Sequence, residues 1–267
     1  MSEKVRHIVS LSGGKDSTAL AIYMRDRVAE IEYVFCDTQK ELPETYEYLE
    51  RLEAFLGKPI VRLNATMGFD HWLEIYGGYL PSPNMRWCTK MLKIKPFETY
   101  VGEDRTYLYI GIRADEDRQG YISTKPNIIP VFPFKKAGIT KEDVFRMLEE
   151  SGLGLPKYYE WRTRSGCYFC FFQRKVEWVG LKERHPEYFE LAKQYEKFNA
   201  ETGVRYTWSQ GESLDALSQP ERIKQIKIRH QKAVQAERSL RPNRPLVEIL
   251  NDVNDEEDGD FCLMCHL

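Results

Sequence analysis

The sequence has 267 residues, of which 42% are hydrophobic and 30% are charged, and its formal net charge is −2. A chain of this length can bury one large core, or one core and a smaller appended lobe. The near-neutral charge excludes a global preference for polyanions, so any nucleic-acid contact has to be a local patch.

The N-terminal stretch MSEKVRHIVSLSGG contains no long apolar segment and leads directly into a strand-like run. This pattern predicts neither a signal peptide nor a membrane span, and therefore a cytoplasmic protein without membrane contact. In a reducing compartment, the six cysteines are expected to be thiols, metal ligands or redox groups rather than disulfides.

Apolar β-rich runs alternate with amphipathic helical spacing through about the first 135 residues, which is typical of parallel βαβ units. The predicted strands are residues 5–11, 32–36, 59–63, 106–112 and 128–134, and the helices between them are residues 17–28, 44–56 and 89–100. Beyond residue 134 the spacing predicts helices only, at residues 141–151, 175–184, 186–202 and 219–238. Residues 251–260 are an acidic run that reads as a solvated tether.

These elements predict an α/β fold, a parallel twisted sheet of about five strands with flanking helices, plus a C-terminal helical lobe. We expect a nucleotide-binding domain at residues 1–160 and a helical lobe with cysteine motifs at residues 161–267.

The string SGGKDS connects the first predicted strand to the first predicted helix. Backbone N–H groups at such a helix start point into the crevice at the carboxyl end of the strand, where phosphate binds. Glycine lets the backbone approach an anion, lysine adds positive charge, and serines donate hydrogen bonds. The expected nucleotide-binding residues are Ser12, Gly13, Gly14, Lys15, Asp16 and Ser17. The spacing fits neither a P-loop nor a Rossmann site, and the plain alternative is a glycine-rich turn with Ser17 as helix cap.

The SGGKDS string resembles the SGGxDS pyrophosphate-binding loop of the ATP pyrophosphatases, the PP-loop superfamily with an adenine nucleotide α-hydrolase-like fold. Three further strings resemble its phosphoadenylylsulfate reductase-like branch: FCDTQKELPET at residues 35–45, RWCTKMLK at 86–93 and GIRADEDR at 111–118. The resemblance covers about residues 5 to 175, and within that branch it is greatest to the sulfur-inserting proteins of DNA phosphorothioation systems. It implies an enzyme that cleaves MgATP between the α- and β-phosphates to adenylate a substrate.

Polar and charged side chains follow the second and fourth predicted strands, at the same edge of the sheet as the SGGKDS loop. Asp37 and Thr38 could meet adenine or ribose, although Thr38 or Glu41 could equally cap the next helix. Arg113 and Arg118 could clamp phosphate oxygens bidentately, or form a solvated charge cluster with the acidic residues between them. We assign catalytic roles to Lys15, Asp16, Ser17 and Arg113, and nucleotide contacts to Asp37, Thr38 and Arg118.

Five of the six cysteines are candidate metal ligands. Cys167 and Cys170 have C-x-x-C spacing, Cys88 stands at a predicted helix start, and Cys262 and Cys265 form a second pair. Converging thiolates suit an iron–sulfur cluster, or tetrahedral zinc if only the two pairs are used, and the family resemblance favours [4Fe–4S]. Unliganded thiols are the alternative, which for Cys88 has equal weight, and Cys36 lies within a strand and is expected in the core.

The C-terminal string CLMCH matches a haem-attachment pattern, but the absence of an export signal argues against haem. A tail with two thiols is better suited to carrying a persulfide or closing over a cluster. Reductases of the resembled branch end in a different string, Glu-Cys-Gly-x-His, and this departure weakens the reductase interpretation.

The leading hypothesis is an adenylating sulfurtransferase, and the alternatives are a sulfonucleotide reductase, a tRNA-thiolation enzyme or a non-catalytic nucleotide-binding partner. The resemblance implies a cysteine desulfurase as sulfur donor and a nucleic-acid acceptor, DNA first and tRNA second; a homo-oligomer is possible. A basic stretch could track a phosphate backbone, or simply be a solvated helix face. Its members are Lys224, Lys227, Arg229, His230, Lys232, Arg238, Arg241 and Arg244.

Overall fold

The computed structural model describes residues 5–117, 125–198, 205–209 and 211–238. Arg118, Arg241, Arg244, the acidic run and the Cys262–Cys265 pair lie outside these ranges. The described chain divides into two compact units, one containing the residues up to Gly77 together with Met85–Cys167, the other containing Gly78–Asn84 and the described residues from Tyr168 onward.

The first unit is built on a parallel five-stranded sheet, which confirms the predicted fold class. Its strands are β1 (Val5–Leu11), β2 (Ile31–Asp37), β3 (Ile60–Asn64), β4 (Arg105–Tyr109) and β5 (Ile128–Val131). Their order across the sheet is β3-β2-β1-β4-β5, so β1 is the central strand and β3 is an edge strand. Every neighbouring pair is parallel, and the carboxyl ends of the strands therefore meet at one edge of the sheet.

Two strands end earlier than predicted, and the chemistry of the following residues explains why. After Tyr109 the backbone turns, because the N–H of Ile112 bonds to the carbonyl of Ile110 two residues earlier. After Val131, Pro133 begins the short helix Pro133–Ala137, which its fixed φ favours. Residues 110 and 112 are apolar and buried, so their pattern continues that of the strand although the backbone has already turned.

Helices cover both faces of the sheet, and the alternation of side chains along β1 feeds two separate cores. Val9 and Leu11 pack with α1 (Lys15–Arg25), α2 (Pro43–Leu56) and α7 (Lys141–Glu150). Ile8 points to the other face and packs with Phe97 and Val101. This two-residue period on a strand buried on both faces is what a doubly covered parallel sheet requires.

The helix predicted at residues 89–100 is a composite that starts two residues earlier. It consists of α4 (Trp87–Thr89), the π-helical segment Lys90–Ile94 and α5 (Lys95–Val101). The N–H of Lys95 bonds to the carbonyl of Lys90, five residues back. The next residue, Pro96, has no N–H to donate, so an ordinary α-helical ladder could not continue there.

Three further helical segments of the first unit were not predicted from sequence. They are α3 (Phe69–Ile75), α6 (Pro133–Ala137) and the 3₁₀ turn Lys157–Glu160. Each spans two turns or less, too short for an apolar period of three and four to stand out.

The second unit contains α8 (Lys175–Arg184), α9 (Pro186–Tyr195), α10 (Leu214–Leu217) and α11 (Pro220–Arg238). The prediction of helices only beyond residue 134 is wrong, because Lys197–Phe198 pairs antiparallel with Arg205–Tyr206. Helix α9 ends at Tyr195 instead of continuing to residue 202. Glu196 is extended, and its carboxylate accepts hydrogen bonds from the backbone N–H groups of Trp208 (3.0 Å) and Leu214 (2.8 Å). Within the described ranges, no helix is both long and apolar enough to cross a membrane.

Candidate nucleotide-binding site

The SGGKDS loop lies at the carboxyl end of the central strand. Strand β1 ends at Leu11 and α1 begins at Lys15, with Gly14 as its extended N-cap residue. The side chains of Ser12, Asp16 and Ser17 are buried although they are polar. Polar groups buried at the start of a helix fit an anion-binding turn rather than a simple solvent-exposed connection.

Glycine is required in this turn for steric reasons. Gly13 has φ +72°, and a Cβ there would lie 2.6 Å from Cγ2 of Thr45. A Cβ on Gly14 would lie 2.8 Å from Oγ of Ser165. Gly111, which follows β4, approaches the backbone of Asp16 so closely that a Cβ would lie 2.9 Å from its carbonyl oxygen. The GIRADE string therefore packs directly on the SGGKDS loop.

The serines of the loop bond to one another. Ser17 Oγ accepts from the backbone N–H of Ser12, donates to the carbonyl of Gly14, and lies 3.1 Å from Ser12 Oγ. Ser165 donates its hydroxyl to Ser12 Oγ at 3.1 Å. The expected alternative role of Ser17 as a side-chain cap of α1 is not what the structure records, since α1 has no such cap. These bonds hold the hydroxyls in place, which lowers the ordering cost of binding a ligand.

Asp16 is the centre of a charge cluster. Its carboxylate pairs with Lys15 Nζ at 2.7 Å and with Arg113 Nη1 at 2.8 Å, and all three side chains are at most 12% exposed. Arg113 also pairs with Asp115 (3.0 Å) and Glu116 (2.7 Å). Burial opposes the charge of Arg113, but its hydrogen bond to Asp115 and the charge of Asp16 outweigh burial and raise its pKa. Arg113 is therefore a fixed cation beside the loop.

A segment about 145 residues further along the chain contacts the loop. The hydroxyl of Tyr158 donates to the carbonyl of Gly13 at 2.7 Å, and the N–H of Lys15 donates to the hydroxyl of Tyr159 at 3.2 Å. Burial raises the pKa of Tyr158 well above its ordinary value, so its hydroxyl stays a donor. The sequence reasoning missed both tyrosines and Ser165, because only the fold brings them to the loop.

Arg162 fixes the end of the same segment. It is 1% exposed and donates to the carbonyls of Gly166 (2.9 Å) and Cys167 (2.8 Å). The thiol of Cys167 then lies 3.0 Å from Thr38 Oγ1 and 3.8 Å from a carboxylate oxygen of Glu41. Burial raises the pKa of Glu41. Cys167 is thus held at the carboxyl end of β2, next to the strand that carries the loop.

Asp37 and Thr38 are engaged within their own turn. Asp37 Oδ1 accepts from the N–H of Gln39 and from the hydroxyl of Tyr46, both at 2.8 Å. Thr38 donates to Glu41 at 2.9 Å. Helix α2 starts after Leu42 with no side-chain cap, so neither Thr38 nor Glu41 plays the capping role considered above. Their proposed contact with adenine or ribose stays a prediction.

The cysteines do not assemble a metal centre in the part of the chain that the structure describes. Cys36 is in the core, as expected, and burial raises its pKa to about 12. Cys88, Cys167 and Cys170 are not disulfide-bonded and are of intermediate exposure. Across the described ranges, no group of three or more His, Cys, Asp or Glu side chains is arranged to hold a metal ion. Cys262 and Cys265 lie outside those ranges, so the expected cluster gains no support from the residues described.

The phosphoadenosine phosphosulfate reductase domain model matches residues 6–172. The chain belongs to this family. The match spans the five-stranded sheet, the SGGKDS loop, the GIRADE string and the segment that bears Tyr158, Arg162 and Cys167. The predicted membership of the phosphoadenylylsulfate reductase-like branch is therefore confirmed, without any preference among its activities.

Individual relatives are distant. The chain is 27% identical to the uncharacterized protein MJ0066 of Methanocaldococcus jannaschii over 70% of this chain and 41% of the relative. It is 26% identical to adenosine 5'-phosphosulfate reductase of Salinibacter ruber over 51% of this chain and 56% of the relative. It is also 26% identical to tRNA-specific 2-thiouridylase MnmA of Lactobacillus delbrueckii subsp. bulgaricus over 57% of this chain and 49% of the relative. The chain spans less than half the length of the first of these relatives.

Among solved structures, the phosphate complex of phosphoadenylyl-sulfate reductase from Candida auris matches with a TM-score of 0.48 and 13% identity. The match covers 61% of this chain and 80% of that one.

Proposed function

We propose that this chain is an ATP pyrophosphatase that adenylates an acceptor oxygen and allows sulfur to replace it. The observation that carries the proposal is the preorganised SGGKDS loop at the carboxyl end of the central strand, with Lys15 and Arg113 on either side of Asp16. Such a loop suits a triphosphate whose pyrophosphate must be held while it leaves. A reductase that releases no pyrophosphate has less need of it.

The reaction has two displacement steps. An acceptor oxygen attacks the α-phosphorus of MgATP, the bond to the bridging oxygen breaks, and pyrophosphate leaves on residues 12–17. A sulfur nucleophile then attacks the adenylated centre of the acceptor and expels AMP. Lys15 and Arg113 neutralise the charge that develops on the departing pyrophosphate. In this scheme Asp16 holds both cations in position, and the Ser17 hydroxyl donates to the phosphate in place of the Gly14 carbonyl.

The acceptor we propose is a DNA backbone phosphate, with the sulfur supplied by a partner cysteine desulfurase. A nucleic-acid acceptor is supported by helix α11, where Lys224, Lys227, Arg229 and Lys232 are exposed. One of these, Lys227, also pairs with Glu183 at 2.6 Å. A thiolated tRNA nucleoside is the second candidate, favoured by the similarity to a tRNA 2-thiouridylase. A sulfonucleotide reductase is the third, favoured by the similarity to adenosine 5'-phosphosulfate reductase.

Pyrophosphate and AMP formation from α-labelled ATP test the first step. We expect release by the wild-type protein in the presence of acceptor and sulfur donor. Asp16→Ala and Ser17→Ala should lose this activity while keeping the native fold, and Asp26→Asn, at the other end of α1, is the matched control. Release that persists unchanged in an Asp16→Ala, Ser17→Ala double variant refutes the pyrophosphatase assignment.

Mass spectrometry of nuclease-digested DNA and tRNA, from cells with and without the gene, tests the acceptor. Loss of a phosphorothioate-linked dinucleotide supports DNA. Loss of a thiolated tRNA nucleoside moves the assignment to tRNA. Failure of sulfate assimilation with neither change leaves the sulfonucleotide enzyme.

The [4Fe–4S] cluster implied by the family resemblance is a separate proposal, and no step above depends on it. Anaerobically purified protein should then contain iron and acid-labile sulfide in near-equal amounts. Cys167→Ala or Cys170→Ala should remove the brown colour of the cluster. Cys36→Ala, in the core, is the control for the loss of a cysteine alone. Stoichiometric zinc without iron would identify the alternative metal.

A further inference from the structure

A cavity lies at the carboxyl end of edge strand β3, and all the residues that line it belong to the first unit. Its volume is about 520 Å³, which is within the ordinary range for small-ligand sites. It is bounded by the end of β3, by α3 and by the π-helical segment with α5. The lining residues that bear on a ligand are Arg62, Asn64, Met67, Trp72, Met91 and Lys95.

The charge of the lining favours an anion. Lys95 is cationic, as is Arg62, whose guanidinium also lies 3.9 Å from the Glu50 carboxylate outside this cavity. None of the described residues that line this cavity is acidic. A cavity of about 470 Å³ also reached by Arg62 offers an internal comparison, because it is lined by Glu50 and Glu53 as well as Lys58. The mixed charges of that cavity give it no preference for a phosphate, whereas the cavity at β3 has one.

The cavity also offers an aromatic surface. Trp72 lines it, and Lys95 Nζ lies 5.8 Å from the centre of the Trp72 ring. The indole Nε1 is buried, and no described residue accepts a hydrogen bond from it. Met67 and Met91 add adaptable apolar surface, and Asn64 adds an amide. An aromatic ring, an amide and two cations are the groups that recognise a base together with its phosphate.

The backbone of the π-helical segment positions part of this lining. Met91 lies inside the segment Lys90–Ile94, and Lys95 follows it directly. Its wider turn displaces these two side chains from where a regular α-helix would carry them. Such single-turn π segments are frequent at functional sites.

The cavity lies at the same edge of the sheet as the SGGKDS loop. In the sheet register Asn64 pairs with Asp37, and Phe35 pairs with Leu11 at the end of β1. Two strand spacings separate β3 from β1, which is about 10 Å. We propose that this cavity holds one nucleoside phosphate unit of the nucleic-acid strand that accepts sulfur. This proposal rests on the proposed function and assigns its acceptor subsite.

Binding of a fluorescein-labelled 12-nucleotide single-stranded DNA, measured by anisotropy, tests the subsite. Lys95→Gln removes an exposed cation, and we expect affinity to fall about five- to ten-fold and the salt dependence to become shallower by about one ion. Lys58→Gln, in the cavity with mixed charges, is the matched control and should change affinity less than about two-fold. Trp72→Leu should weaken binding to a similar extent as Lys95→Gln, while Trp72→Phe keeps most of it. Binding of MgATP should be unchanged in all four variants.

Photocrosslinking identifies the contact directly. A DNA strand containing 5-iododeoxyuridine should form an adduct on the peptide that contains Trp72 or Met91. Wild-type affinity in both Lys95→Gln and Trp72→Leu, or adducts confined to other peptides such as those of α11, overturns the proposal. Suppression of Trp72 adduct formation by millimolar dTMP present during irradiation, with no loss of strand affinity in Lys95→Gln, would show that a free nucleotide is the ligand and overturn the strand assignment.

These outcomes are independent of the pyrophosphatase assay. If wild-type protein releases pyrophosphate but the DNA tests fail, the subsite is wrong and the proposed activity stands. If pyrophosphate is not released while the Trp72 adduct forms, the proposed activity fails and the nucleotide site remains.

Discussion

The carboxyl ends of β1 and β3 differ in how their polar groups are held. At β1, the centre of the sheet, Ser12, Asp16 and Ser17 are buried and bonded to one another or to side chains from distant segments. At β3, the edge strand, Arg62 and Asn64 are exposed beside a cavity. Both ends belong to the same sheet and face the same edge.

The difference follows from position in the sheet. A central strand is flanked on both sides, so segments from β2, from β4 and from residues 158–165 all reach its end. An edge strand has neighbours on one side only, which leaves space for a ligand. We infer that the centre carries the proposed ATP chemistry and that the edge carries the proposed acceptor subsite.

The largest effect expected at the central end comes from Arg113→Lys. Lysine keeps the charge but cannot bond to Asp16, Asp115 and Glu116 at once, as the guanidinium does. We expect pyrophosphate release to fall about 100-fold, the usual cost of losing one positioned donor to a developing charge. Arg105→Lys, at the opposite end of β4, should retain activity near wild type. Equal activity in the two variants would show that Arg113 does not act on the phosphates.

A second test concerns the crowding around Gly13. Gly13→Ala places a methyl group 2.6 Å from Thr45 Cγ2 at a residue with φ +72°. We expect unfolding free energy to fall by about 2 kcal/mol, from left-handed strain and the clash together. Adding Thr45→Ser to Gly13→Ala removes Cγ2 and should restore the part of the unfolding free energy lost to the clash. The loss due to left-handed strain, about 1 kcal/mol, should remain. Urea titration measures both; no recovery in the double variant would contradict the steric explanation.

The sequence predicts the residues behind these two tests, but not all of their contacts. The loop, its glycines and Arg113 follow from local strings, because a strand, a glycine turn and a helix are adjacent in the chain. The five strands follow from apolar runs between helical patterns. Arg113 could be placed near the loop because it follows a strand of the same sheet, but its bond to Asp16 could not be predicted.

The contacts between residues distant in the chain could not be predicted from the sequence. Tyr158 and Ser165 are about 145 to 153 residues from their partners in the loop, and no periodicity links them. The same limit explains why the sequence predicts that α9 continues to residue 202. The hydrogen bonds of Glu196 to the backbone of Trp208 and Leu214 end this helix, and they depend on the tertiary structure. Tertiary hydrogen bonds decided these cases against local propensity. Trp72 and Lys95 were likewise not recognised, because their proximity depends on the π-helical segment.

Tyr158→Phe tests one of these long-range contacts. The variant removes the hydroxyl that donates to the buried carbonyl of Gly13. Leaving that acceptor unpaired should cost about 1 to 2 kcal/mol of unfolding free energy. Tyr23→Phe, on α1, is the matched control and should cost less than about 0.5 kcal/mol. If chemical denaturation gives the same small loss for both, the hydroxyl does not hold the loop.

The smallest effect is expected for an ion pair near the edge, which has the same chemistry as the pair at the centre. Lys40 Nζ lies 2.9 Å from Asp70 at the start of α3, but the Asp70 side chain is 65% exposed, against 7% for Asp16 in its pair with Lys15. Water and salt screen the exposed pair, so Asp70→Asn should cost less than about 0.5 kcal/mol in low salt and nothing measurable at 1 M NaCl. Asp16→Asn should lower stability at both salt concentrations, because Lys15 loses its carboxylate partner and Arg113 loses one of three. Thermal unfolding of the two variants at both salt concentrations measures this difference. Equal salt dependence for both would mean that the centre of the sheet is as open to solvent as its edge, and the division between a buried nucleotide site and an open acceptor subsite would lose its physical basis.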